Sequence, residues 1–207
     1  MIDQRTATQI AYLIAAFGFI ACLKMLSSPR TARLGNRIGS ASMLLAIIVT
    51  LWDQSVVDYG QIGLGLAAGT VIGLVSARRV QMTQMPQMVA LFNGAGGLGS
   101  AIVSALQFVG ARPGGVDTAN GLSIALGALI GAVAFSGSVI AWAKLEGRVY
   151  TRAFRYRLQQ PVNLLLLLGI LASGTAVTLD VGDRTLMMVV LVALSTLLGI
   201  AVTMPSS

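Results

Sequence analysis

This chain contains no histidine, so the side chain that titrates most readily near neutral pH is missing. Charge is scarce as well: 10% of its 207 residues are charged, where a soluble domain carries about 25%. With 56% hydrophobic residues, its surface cannot be covered by polar groups, which excludes an ordinary water-soluble domain. The one cysteine, Cys22, lies in an apolar run, so no disulfide can form within the chain. No lysine, histidine or carboxylate falls inside any long apolar run. A pump made of this chain alone would therefore lack an intramembrane proton carrier.

What is present is a series of seven uncharged runs, and the expected fold is all-α, a polytopic transmembrane helical bundle. The spans are expected at about 6–26, 34–52, 59–77, 86–109, 118–143, 158–179 and 185–204. Only 15 residues separate Arg37 from Asp53, about 22 Å of helix, so the second span must start near Leu34 or Arg37 must snorkel. Charges alternate between the ends of the runs. Eleven of fourteen basic residues fall after the first, third and fifth runs, and six of seven acids fall on the other side. The positive-inside rule then puts the basic loops in the cytoplasm, the N-terminus outside and the C-terminus inside. Arg5 precedes the first run and the positive cluster follows it, the reverse of a secretory signal, so this helix is expected in the mature protein.

The organising stretch is Met82 to Ala101, MTQMPQMVALFNGAGGLGSA, within a region free of charge from Val80 to Ala111. Pro86 suits the first turn of a helix, where its missing N–H costs nothing. Asn93 follows two turns deeper, and an amide at that depth needs a hydrogen-bonding neighbour. Gly94, Gly96, Gly97 and Gly99 allow another backbone to come close in lipid. Gly94, Gly96 and Gly99 also spell G-x-G-x-x-G, but a dinucleotide site requires a preceding strand, a helix opening at the glycines and an acid about 20 residues on. This run offers none of that context.

The third run carries Gly65, Gly69 and Gly73 at intervals of four, a seam for a second helix. In the fifth, Gly127, Gly131, Ala134 and Ser138 share one helical face. Ser136 and Ser138 interrupt that run, and each either bonds back to its own preceding turn or lines a polar path. Asn93 and one of these serines on a neighbouring helix can hold ordered water or form a plain interhelical bond. Lys144 to Pro161 is the longest polar connection, with Arg148, Arg152 and Arg155 at helical spacing among Tyr150, Phe154 and Tyr156. This pattern describes an interfacial helix against anionic headgroups. Tethering to the bilayer at both ends argues against nucleic acid. The sixth run, with Leu164 to Leu168, reads as lipid-facing.

The run MTQMPQMVALFNGAGGL, the Arg78-Arg79-Val80 link before it, and FSGSVIAWAKLEG at Phe135 to Gly147 resemble the membrane domain of the beta subunit of proton-translocating NAD(P) transhydrogenase. The resemblance covers most of the chain in order, and M-x-x-M-P-x-x-V-A is its most specific part. It implies a membrane piece that couples proton movement to hydride transfer between NAD(H) and NADP(H). Asn93 matches a position that is often a histidine in the proton path, and Ser138 matches a serine on the helix beside it. The carrier is then expected from another chain, a histidine of the companion alpha subunit. The resemblance also implies that this chain binds no cofactor itself, NAD and NADP being held by other domains. The expected partners are the alpha subunit, further beta-subunit helices with the NADP(H)-binding domain, lipid, and a second alpha-beta unit, in a bacterial inner membrane. The soluble NADP(H) domain is absent from this sequence, which reads as a fragment. The competing class is a non-enzymatic transporter half or assembly scaffold, although the mid-depth charges usual in transporters are missing.

Overall fold

The computed structural model describes residues 4–52, 59–111, 115–149 and 159–204. The backbone in lipid has no water to bond to, so each crossing segment must satisfy its own N–H and C=O groups. The described residues do this as seven α-helices with no β-strand. They are α1 (Gln4–Leu26), α2 (Ala32–Trp52), α3 (Tyr59–Arg79), α4 (Met85–Gly110), α5 (Thr118–Leu145), α6 (Gln159–Thr178) and α7 (Arg184–Thr203). The shortest have 20 residues, about 30 Å of helix. All seven are long and apolar enough to cross a membrane, and the chain is an integral membrane protein. The second helix starts at Ala32, takes in Arg33 and Arg37, and reaches 21 residues. Arg112 and the acids Asp3, Asp53 and Asp58 lie outside the described residues, as do Tyr150 to Leu158 and with them most of the interfacial helix expected there.

The chain divides into two compact units, 1–74 and 75–207. In the first, α1 and α2 form an antiparallel hairpin whose register is fixed by small residues. The Tyr12 hydroxyl lies 2.8 Å from Thr50 Oγ1. Further along, Gly18 faces Ser42, Gly39 faces Cys22, and Gly35 faces Met25. A Cβ on Gly39 would stand 2.7 Å from the Cys22 sulfur, so the glycine lets the two backbones close on each other. The turn is tied by Thr31 Oγ1 donating to Met25 O at 2.7 Å and Ser27 Oγ donating to Lys24 O at 2.7 Å. Along α3 no residue is buried.

In the second unit a short 3₁₀ turn, Met82–Gln84, leads into α4 with Pro86 in its first turn. Helices α4 and α5 run antiparallel, α6 returns beside α5, and α7 returns beside α6, so α5 and α7 are parallel neighbours. Phe108, Ile124, Ala128, Ile170, Val177 and Leu191 form the core where these helices meet. The turn from α6 to α7 places Asp180 at φ 53° and Gly182 at φ 87°, left-handed positions that favour glycine and tolerate aspartate. Asp183 then caps α7 by accepting from Leu186 N at 2.7 Å, satisfying one of the free donors at a helix start. The Asp180 carboxylate pairs with Arg184, whose guanidinium also donates to Phe108 O and Ala111 O at the end of α4 and stacks over the Phe108 ring at 5.2 Å. One side chain thereby joins three helix ends.

Candidate functional site

The α4–α5 seam follows from spacing. Helix α4 buries Gly94, Gly97, Ala101, Ser104 and Phe108, steps of three and four that mark one helical face. Helix α5 meets it with Gly127, Gly131, Ala134 and Ser138. A Cβ on Gly97 would stand 2.7 Å from Gly131 O and 2.8 Å from Phe135 N; one on Gly131 would stand 2.6 Å from Gly97 O. All three distances are shorter than Cβ contacts allow, so backbone touches backbone at this level and only glycine fits. The contact rests on close packing rather than on a hydrophobic drive, as lipid requires.

That close approach brings the polar groups together. Asn93 Nδ2 donates to Ser138 Oγ at 2.9 Å, and Ser138 is 8% exposed. Two turns further along α4, Ser100 Oγ donates to Gly127 O at 3.1 Å. At the other end Gln87 Nε2 donates to Leu145 O at 3.1 Å, and its buried Oε1 has no partner among the described residues. Asn93 stands eight residues past Met85, about 12 Å along α4. It is exposed, as are Gly96, Gly99 and Ser100. The amide therefore bonds to α5 on one side and is open on the other. No charged residue lies in α4, and no cluster able to hold a metal ion occurs among the described residues. Such a pair can pass a hydrogen bond along, but it cannot store a proton, because an amide and a hydroxyl do not titrate near neutral pH.

Ser136 does not join this pair. Its hydroxyl donates to Ala132 O at 2.9 Å and Val133 O at 3.3 Å, the back-bonding usual for serine in a membrane helix. It packs against Gly199 of α7, on the far side of α5 from Asn93. The two serines are two residues apart, about 200° around a helix, so they cannot face the same neighbour. The glycines Gly65, Gly69 and Gly73 meet nothing within 4 Å. Gly94, Gly96 and Gly99, the G-x-G-x-x-G letters, lie in mid-helix with no strand before them. Gln87 and Ser100 were legible from helical spacing, each seven residues from Gly94 or Asn93, and sequence reasoning passed over them.

Over residues 8–206 the chain matches the family model described as NAD(P) transhydrogenase beta subunit. It is 37% identical over 158 residues to the NAD(P) transhydrogenase subunit beta of Rhodospirillum rubrum, a match covering 73% of this chain and 34% of that protein. The same protein from a designated strain of that species matches to the same extent. The chain thus spans about a third of the length of the curated relatives it matches.

Proposed function

Because this chain belongs to the NAD(P) transhydrogenase beta subunit family, we propose that its helices form part of the proton-conducting membrane component of a transhydrogenase complex. In that role the chain couples proton translocation to hydride transfer between NAD(H) and NADP(H), which takes place in soluble domains outside this sequence. NAD and NADP are bound there and not by these helices. The observation that carries the reading is the Asn93–Ser138 hydrogen bond, 2.9 Å long, at the rim of a glycine seam that leaves the amide accessible from one side.

The chemistry assigned to this chain is limited to orientation. Asn93 and Ser138 hold hydrogen-bonding groups at fixed positions in a low-dielectric setting, where such groups act strongly. The proton itself is carried by an ionisable side chain that approaches the open side of α4 from another polypeptide, a histidine of the alpha subunit. The remaining beta-subunit helices, the NADP(H)-binding domain and a second alpha-beta unit complete the assembly. The basic loops lie on the cytoplasmic side of a bacterial inner membrane, with the N-terminus outside. Ser136 stands one helical face away, and its hydroxyl serves packing against α7.

The test uses the assembled complex in proteoliposomes. Asn93→Leu and Ser138→Ala are each expected to slow coupled proton uptake by about tenfold or more, a barrier change of about 1.4 kcal/mol. Ser136→Ala is expected to leave it unchanged. If both pair variants pump at the wild-type rate, the path runs elsewhere and the pair is packing. An assembled complex with no ionisable group within reach of Asn93, directly or through water, would refute the carrier assignment.

A further inference from the structure

The turn between α1 and α2 gathers charge that the proposed proton path does not use. Lys24 sits in the last turn of α1, and Arg30, Arg33 and Arg37 follow within 14 residues of it. All four are exposed. No acid occurs among the described residues of this unit, and no hydrogen-bond or ion-pair partner joins any of the four to another described residue. Arg33 and Arg37 are one helical turn apart on α2 and share one face, and Arg30 lies in the turn just before that helix.

The scaffold beneath them is tight. The bonds from Thr31 Oγ1 to Met25 O and from Ser27 Oγ to Lys24 O close the turn on itself. A Cβ on Gly35 would stand 2.8 Å from Met25 Cβ and 3.2 Å from Cys22 O. The two helices are therefore fixed against each other where the cations emerge. A fixed backbone beneath the cations lowers part of the ordering cost of binding an anion. The cations lie at the joined ends of two helices that are each long and apolar enough to cross a membrane.

We propose that Lys24, Arg30, Arg33 and Arg37 form a binding site for the phosphodiester of an anionic phospholipid. The guanidinium groups coordinate its oxygens in the bidentate manner that a lysine cannot reproduce. A basic loop that only sets membrane orientation is read by its count of Lys and Arg together, so arginine-to-lysine replacement separates the two roles.

The experiment measures retention of phosphatidylglycerol against phosphatidylcholine by the purified full chain in mixed-lipid nanodiscs, with helical content checked by circular dichroism. The wild type is expected to prefer phosphatidylglycerol. A cation near a lipid surface contributes about fivefold, so Arg30→Gln, Arg33→Gln and Arg37→Gln together are expected to lower the preference about a hundredfold. The corresponding triple lysine variant, with unchanged charge, is expected to lower it about tenfold. Arg78→Gln with Arg79→Gln on α3, neighbours splayed apart around a helix, is expected to change it much less than the triple glutamine variant. The proposal is overturned if the wild type shows no preference, if the lysine variant keeps it in full, or if the α3 pair matters as much. Displacement of the lipid by millimolar inorganic phosphate would assign the site to free phosphate and overturn the lipid reading.

Discussion

Replacing Gly131 by alanine tests the seam that holds the candidate site. The new Cβ would stand 2.6 Å from Gly97 O and 2.7 Å from Ala101 N, where non-bonded atoms settle at about 3.5 Å. Both neighbours are backbone, so no side chain can rotate out of the way. The helices must part by about 1 Å, and overpacking of this kind costs about 1 to 3 kcal/mol. The same parting lengthens the Asn93–Ser138 bond from 2.9 Å beyond hydrogen-bonding range, at a further cost of about 0.6 to 2 kcal/mol. Gly131→Ala is therefore expected to lose about 2 to 5 kcal/mol in reversible unfolding of the chain in mixed detergent micelles. Gly99→Ala is the matched control on α4, since nothing lies within 4 Å of a Cβ there. It is expected to be neutral or slightly stabilising, because alanine is the better helix former. Unfolding of the two variants at the same denaturant fraction would refute the argument that backbone contact sets the α4–α5 spacing.

Two further outcomes follow from contacts elsewhere in the second unit. Arg184→Ala removes the donor to Phe108 O and Ala111 O and the cation paired with Asp180; amide hydrogen exchange is expected to quicken at the end of α4 and in the α6–α7 turn together. Arg184→Lys is expected to restore only part of the protection, since an ammonium cannot span the carboxylate and two carbonyls at once. Gly199→Ala sets a Cβ against the Ser136 hydroxyl and 2.8 Å from Val133 O. It is expected to destabilise the fold by about 1 to 3 kcal/mol. Ser136→Ala in the same chain should relieve only part of that in the same unfolding assay, because the carbonyl contact remains.

The spans were readable from sequence because charge is almost absent from the runs and collects between them. The α4–α5 seam was readable too: Gly127, Gly131, Ala134 and Ser138 keep helical phase, and Asn93 is the one asparagine in the facing run. That phase also separates Ser138 from Ser136, a distinction the spacing itself contains. The same pattern on α3 shows what spacing leaves out. Gly65, Gly69 and Gly73 repeat as regularly as Gly127 and Gly131, yet open space faces them. A glycine stripe states that a backbone can come close, and nothing in it names which one. In the sequence Arg184 is one cation among the acids that follow the sixth run. Its role depends on α4 ending beside the start of α7, a tertiary fact with no local signature. The close pairs Gly35 with Met25 and Gly39 with Cys22 were missed because small residues at such intervals are common in any membrane helix.

The parallel course of α5 and α7 has an electrical consequence. Aligned side by side, their peptide dipoles repel, and both present partial negative charge at the same end of the unit. Lys144, in the last turn of α5, extends its ammonium to Thr203 O at 2.8 Å, at the end of α7. One positive group thus offsets two helix termini, and any process that neutralised or withdrew it would let the paired ends push apart.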